Sequence, residues 1–268
     1  MNKRCTACGA PSSRDKCEYC GEHIEIDKSV YHSGTSMLSR QGNILSLIFY
    51  VVGMVILPLI VMIAAMLVSG LEPTTITSEE TLNITTLAIV ISYGISTFAL
   101  LFLARDVFKQ DFKKIRSWGN FTLQMIIGIF CTFGAAIVGG ILVQLVGVDE
   151  AAANQEAVEA SLGAMPLAMT FSIVIFAPIV EEIVFRLVLM RMFNWKPILN
   201  IIFSSLIFGL MHVIAGGIIH IIPYFLMGLV FAIIYHKNDN IWHATILHVI
   251  HNGLTVLLVV VGQGLLTY

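Results

Sequence analysis

A few residues place ionisable or amide groups inside runs that are otherwise apolar. Glu181 and Glu182 stand side by side and are followed by Arg186. In the next run Phe208 precedes His212 by four residues, and in the last His248 precedes Asn252 by four, with His251 between them. A charged side chain near the middle of a membrane helix costs about 2.5–3.5 kcal/mol on insertion scales, so each needs a partner or a task. On a helix Glu182 and Arg186 are neighbours that can pair, while Glu181 lies about 100° around the axis and is left free. Phe208 and His212 share a face, as do His248 and Asn252. Three helices that converge here would gather a carboxylate, two imidazoles and a carboxamide. That is equipment for attack by water on an acyl group: a base for the water and donors for an oxyanion. Glu181, His212 and His248 could equally hold one divalent metal ion and leave a position open for water.

Plainer roles compete for the same residues. The Glu182–Arg186 pair reads first as architecture near one membrane interface. A single intramembrane histidine is often an interhelical hydrogen-bond donor, which is an even match for His212 taken alone. The four groups taken together are poorly explained by packing. His220 and His243 fall near span ends and His236 in a loop, and His251 stands one helical step off the His248–Asn252 face. Cys131, in an apolar run, reads as a buried small hydrophobe.

The elements that must carry these residues follow from composition. Of 268 residues, 57% are hydrophobic and 12% charged, against roughly 25% charged in a soluble domain. This excludes a soluble globular domain, a disordered chain and a nucleic-acid binder, and no nucleic acid is expected as partner. Crossing a bilayer takes about 20 apolar helical residues. Such runs lie at 43–69, 84–104, 121–147, 165–189, 198–214, 217–235 and 241–266. The fold class is therefore all-α, a polytopic transmembrane bundle of seven spans, or eight if the last run is split near Gly253. The segment 149–163 reads as a short interfacial helix outside the bilayer. No cleavable signal peptide is expected at the polar start.

Charge is sorted along the chain. Every Lys and Arg falls in the first 41 residues, in 105–119, in 186–196 or at Lys237, whereas 70–83 and 148–163 hold Glu72, Glu79, Glu80, Asp149, Glu150, Glu156 and Glu159 and no cation. Positive loops stay cytoplasmic. The expectation is a multi-pass protein of a bacterial cell membrane, N-terminus in the cytoplasm and C-terminus outside. The site is expected to open to the cytoplasm or inner leaflet, where Arg191 and Lys196 would suit a peptide carboxylate or anionic lipid head groups, and where a positive-inside bias accounts for them equally well.

Residues 1–41 form a separate head and linker, and 42–268 the membrane domain, with its core motifs in 165–255. Cys5-x-x-Cys8 and Cys17-x-x-Cys20 make two knuckles whose thiolates suit one tetrahedral structural zinc. The arrangement is similar to a short zinc ribbon, with redox or unpaired thiols as the alternative. His23 and His32 are not needed as ligands. Four cysteines leave no open position, so the head is expected to bind a protein partner or to be structural.

Glu181-Glu182-x-x-x-Arg186, Phe208-x-x-x-His212 and His248-x-x-x-Asn252, in this order on successive apolar segments, resemble the CPBP (Abi) family of intramembrane proteases. That family includes the type II CAAX prenyl endopeptidases and proteins linked to bacteriocin processing or self-immunity. The resemblance covers about residues 120–260 and leaves the head outside. It implies that Glu181 is the general base, that His212 sits beside it, and that His248 and Asn252 bind the scissile carbonyl or its oxyanion. Glu182 and Arg186 would orient the site and Phe208 would pack on His212. Both metal-dependent and metal-free mechanisms are argued for the family, so a catalytic divalent metal stays open. The substrates implied are peptides or protein C-terminal tails at the cytoplasmic membrane face. Two other readings remain: a membrane scaffold that recruits a partner through its zinc ribbon, and an ion-coupled transporter.

Overall fold

The computed structural model describes residues 3–4, 11–12, 40–70, 76–115, 117–148, 150, 152–193, 196–214 and 216–266. The head contributes a two-residue antiparallel ladder, β1 (Lys3–Arg4) with β2 (Pro11–Ser12), in the register Lys3 to Ser12 and Arg4 to Pro11. Cys5, Cys8, Cys17 and Cys20 lie outside the described residues, as do His23 and His32.

Eight helices follow among the described residues. We number them α1 (40–69), α2 (Ser78–Lys113), α3 (Trp118–Leu145), α4 (Ala153–Ala164), α5 (166–192), α6 (Pro197–His212), α7 (Ile221–Asn238) and α8 (Ile241–Leu266). Five are long and apolar enough to cross a membrane: Asn43–Val68, Ser78–Lys113, Trp118–Leu145, Ile218–Asn238 and Ile241–Gly262. This is an integral membrane protein, folded as a polytopic helical bundle. Every run expected to span is helical. α6 is short at 16 residues, and α5 is interrupted by two π-helical turns, Ser172–Phe176 and Ile183–Leu189. α8 is unbroken past Gly253, so the last run is one span.

Local chemistry sets the helix ends. Thr77 and Glu80 form a reciprocal capping box that starts α2 well before its apolar run. Ser117 caps α3, its hydroxyl accepting from the Asn120 N–H. Pro166 and Pro197 open α5 and α6 at the first turn, where a missing N–H costs nothing. At one end of the bundle a polar clasp joins α2, α5, α7 and α8. Asp111 accepts from the Ile241 N–H at 2.9 Å, the Asn240 side chain donates to the Asp111 carbonyl at 2.7 Å, and Arg191 meets Asp239 at 3.2 Å. Lys113, Lys114, Arg191 and Lys237 mark this as the basic end. The other end carries α4 and the turn before α7, where His220 Nε2 meets the Glu150 carbonyl at 3.0 Å.

The helices meet closely where glycines allow it. A Cβ on Gly139 of α3 would stand 2.4 Å from the Pro223 Cα of α7, and one on Gly209 of α6 would stand 3.1 Å from the Phe225 backbone nitrogen. Small residues at such crossings let membrane helices approach. The most deeply buried side chains, Val180, Ile183, Val184, Phe185, Arg186, Phe208, Phe231 and Leu247 among them, form one core around the middle of α5 and the basic half of the bundle.

Candidate active site

α5 carries the acidic pair and the second π turn begins directly after it. Glu182 and Arg186 are both fully buried, and Arg186 Nε donates to Glu182 Oε2 at 2.8 Å. The guanidinium also donates to Ser204 Oγ on α6 at 2.7 Å, and Ser204 in turn donates to the Phe185 carbonyl at 2.7 Å. A buried ion pair needs such further hydrogen bonds to offset its desolvation. The other Glu182 oxygen, Oε1, lies 2.9 Å from His248 Nδ1. The pair expected to be architectural thus also holds one of the site's histidines.

These contacts set the imidazole tautomers. A carboxylate paired with arginine accepts, so His248 carries its proton on Nδ1 and presents an unprotonated Nε2. His212 Nδ1 lies 2.8 Å from the Phe208 carbonyl, which can only accept, and its Nε2 is likewise free. Both Nε2 atoms face Glu181: His212 at 3.8 Å and His248 at 3.9 Å from Glu181 Oε2. That oxygen is buried and has no hydrogen-bond partner among the described residues. Rings hold the histidines on their other faces. Phe231 stacks on His248 at 4.4 Å, Tyr224 on His212 at 4.6 Å, and Phe208 lies 4.4 Å from His212.

Asn252 lines the same space, with its amide donating to the Ile173 carbonyl in the first π turn at 2.9 Å. This ties α8 to α5 and leaves the second amide hydrogen for another acceptor. Glu181, His212, His248 and Asn252 all line one cavity, as does Phe208, and Glu182 and Arg186 lie behind His248. His251 is buried against the Phe133 ring at 4.8 Å and lines the cavity. His220 and His243 bind elsewhere, on backbone carbonyls and on the Phe121 ring. Cys131 is exposed on the outside of the bundle, contrary to the expectation of a buried thiol.

The cavity has a volume of about 370 Å³, within the range of small-molecule and peptide side-chain sites. Its lining extends from Glu181, His248 and Phe231 to Met169 of α5 and Ser161 of α4. The expectation was an opening towards the basic end, whereas the lining residues extend from Glu181 and His248 to α4 at the other end. On the basic side it is sealed by the Glu182–Arg186 pair and the apolar core. Arg186 is spent on Glu182 and Ser204, and Arg191 on Asp239, so neither is placed to receive a substrate carboxylate.

Several lining residues escaped the sequence reading. Tyr50, Tyr93 and Tyr224 come from three helices, and Asn154 from α4, where it is hydrogen-bonded to Tyr224. Ser204 and Phe231, which support Arg186 and His248, also went unnoticed. A lone serine or tyrosine in an apolar run carries no spacing signal, because its partner lies on another helix.

The donor types around Glu181 are those of a His₂Glu metal site, and each histidine has its second nitrogen engaged as metal ligands do. Yet among the described residues no group of three or more His, Cys, Asp or Glu side chains is placed to hold a metal ion. No step below passes through a metal.

Comparison with known proteins decides the family. Residues 163–254 match the model for "Type II CAAX prenyl endopeptidase Rce1-like". A Bacillus subtilis protein named "Putative membrane peptidase YdiL" is 30% identical over 189 residues, 68% of this chain and 75% of that protein. The chain belongs to the Rce1-like family. An uncharacterised protein of Mycoplasma capricolum is 34% identical over 88 residues, 32% of this chain and 26% of its own length. No solved structure matches the chain. The stretch matched by the Rce1-like model contains all seven residues singled out by spacing, and the head lies outside it.

Proposed function

We propose that this chain is an intramembrane endopeptidase in which Glu181 activates the attacking water. The observation that carries this reading is the buried Glu181 Oε2, without a hydrogen-bond partner among the described residues and faced by two imidazole nitrogens at 3.8 and 3.9 Å in a cavity. Two hydrogen bonds of about 2.8 Å meeting at one water at a near-tetrahedral angle span roughly 4.5 Å, so a water shared between carboxylate and imidazole across these gaps sits with a narrowed angle. Glu181 takes the proton as the water oxygen bonds to the scissile carbonyl carbon, and the carbonyl electrons move onto its oxygen. His212 Nε2 accepts the second water hydrogen and fixes the direction of attack. Asn252 donates to the oxyanion through its remaining amide hydrogen, and His248, held by Glu182 through Nδ1, lines the same space. As the tetrahedral intermediate collapses, the C–N bond breaks and the proton on Glu181 passes to the leaving amine.

The test is cleavage of apolar and lipidated peptides by the purified protein in liposomes, read by mass spectrometry, with and without a chelator. Wild type should cleave some of the panel. Glu181→Gln and His248→Ala should each lose about 10²–10⁴ in rate. A folded wild type that cleaves nothing across the panel, or a Glu181→Gln chain that cleaves normally, overturns the reading.

We also propose that Cys5, Cys8, Cys17 and Cys20 hold a structural zinc. The two knuckle spacings support it, as does the β1–β2 ladder, whose strands flank Cys5 and Cys8. Elemental analysis should find zinc in the purified wild type and none in a Cys5→Ser/Cys17→Ser chain.

A further inference from the structure

We infer that substrate reaches Glu181 from the α4 face of the bundle, that this face is extracytoplasmic, and that it favours an apolar segment flanked by basic residues. The word substrate rests on the protease reading above; the route and the charge preference rest on the shape and charge of the molecule.

The cavity gives the direction. His212 is the last residue of α6, at the end away from the basic clasp. From Glu181 and His248 the walls continue through Thr255 and Val256 of α8 and Met169 of α5 to Ser161 and Ala157 of α4. In the opposite direction Val180, Ile183, Phe185 and Leu247 are at most 1% exposed, and Glu182 and Arg186 are at 0%. No peptide passes such a plug without unpacking the core and breaking a buried ion pair.

Charge gives the side of the membrane. The loops at the plugged end carry the Lys and Arg residues, and those at the open end carry Glu and Asp without a cation. Basic loops are retained in the cytoplasm, which puts the open end outside.

The mouth gives the chemistry. At this end of the bundle, outside the cavity lining itself, Glu150 and Glu156 are exposed and Glu159 is half-buried, held by Gln155 at 2.8 Å. With no cation at this end, a free carboxylate terminus would meet only like charge. A Lys or Arg flank would be attracted. Below the mouth Val158, Leu162, Met169 and Val256 offer an apolar wall. A cavity of about 370 Å³ takes a few side chains of an extended segment, too little for a packed helix, whose diameter with side chains is about 10–12 Å.

The test needs no catalysis. Single cysteines are placed at Ala157→Cys and Thr255→Cys in the cavity and at Lys114→Cys at the basic end, in the full chain carrying Cys131→Ser. Right-side-out membrane vesicles receive a membrane-impermeant maleimide before or after permeabilisation, and labelled peptides are mapped by mass spectrometry. The expected result is labelling of Ala157→Cys and Thr255→Cys from outside and of Lys114→Cys only after permeabilisation. Labelling of the cavity positions only after permeabilisation, or of Lys114→Cys from outside, overturns the route. Protection of Ala157→Cys is then compared for two peptides of the same apolar sequence, one flanked by lysines and one by glutamates, in a Glu181→Gln background. The lysine peptide should slow labelling several-fold more than the glutamate peptide, and Glu156→Lys/Glu159→Lys should reverse the order. Equal protection by both overturns the charge preference. A chain that labels as expected yet cleaves nothing sinks the protease reading alone.

Discussion

Glu182 accepts from Arg186 with one oxygen and from His248 with the other, so its loss strands a buried guanidinium and releases the His248 tautomer. Breaking one partner of a buried pair typically costs about 3–5 kcal/mol. Glu182→Ala and Arg186→Ala should therefore lower the thermal midpoint in detergent sharply. Glu181→Gln should leave it near that of wild type, because Oε2 has no hydrogen bond among the described residues to lose. Equal destabilisation by Glu181→Gln and Glu182→Ala would mean that the two acids do not divide the work in this way. Half of that division was legible in the sequence. Adjacent carboxylates with an arginine four residues on must point apart, so one is paired and one is free. That the paired one also reaches His248 was not legible, because α8 is 66 residues away in the chain. The same holds for Ser204, whose hydroxyl links Arg186 to the Phe185 carbonyl. Ser204→Ala should cost about 1–3 kcal/mol through the unsatisfied guanidinium, read as a midpoint shift smaller than that of Arg186→Ala.

At the scale of elements, apolar periods located the helices, but two features of the site lay beyond them. The π turns in α5 have no signature in residue type. The Ile173 and Phe185 carbonyls within them are taken up by Asn252 and Ser204 from neighbouring helices, a form of backbone satisfaction that membrane helices require. α4 falls where a short helix was expected, yet its polar residues Asn154, Gln155 and Ser161 turned out to line the cavity. Helix crossings are set by small residues whose partners lie on other helices. Gly139 faces the Pro223 backbone, whereas nothing lies within 4 Å of a Cβ on Gly140. Gly139→Ala should overpack the α3–α7 contact and destabilise the fold by about 1–3 kcal/mol, while Gly140→Ala should be neutral in the same thermal assay. Matching midpoints for the two variants would show that α3 and α7 do not cross there.

For the whole molecule, charge sorting and cavity shape point in opposite directions from the same helix. Arg191 lies just past the end of the α5 apolar run, and sequence alone draws the site towards it. The fold places a fully buried ion pair and an apolar core between Glu181 and that arginine. A placement of this kind is invisible in the chain, because it depends on which end of each neighbouring helix lies beside α5. The two parts of the molecule should also respond separately to metal removal. The head offers four thiolates at zinc spacing, whereas among the described residues no group of three or more His, Cys, Asp or Glu side chains is placed to hold an ion. Prolonged chelation should therefore strip zinc from the purified chain, followed by elemental analysis, and leave the cleavage rate unchanged. A Cys5→Ser/Cys17→Ser chain should behave as the chelated wild type does. Should that cysteine variant cleave normally and then lose activity to the chelator, with zinc restoring it, the metal would belong beside His212 and His248. The donors would then have to move closer together than they stand here, and the water-activation scheme would need a metal at its centre.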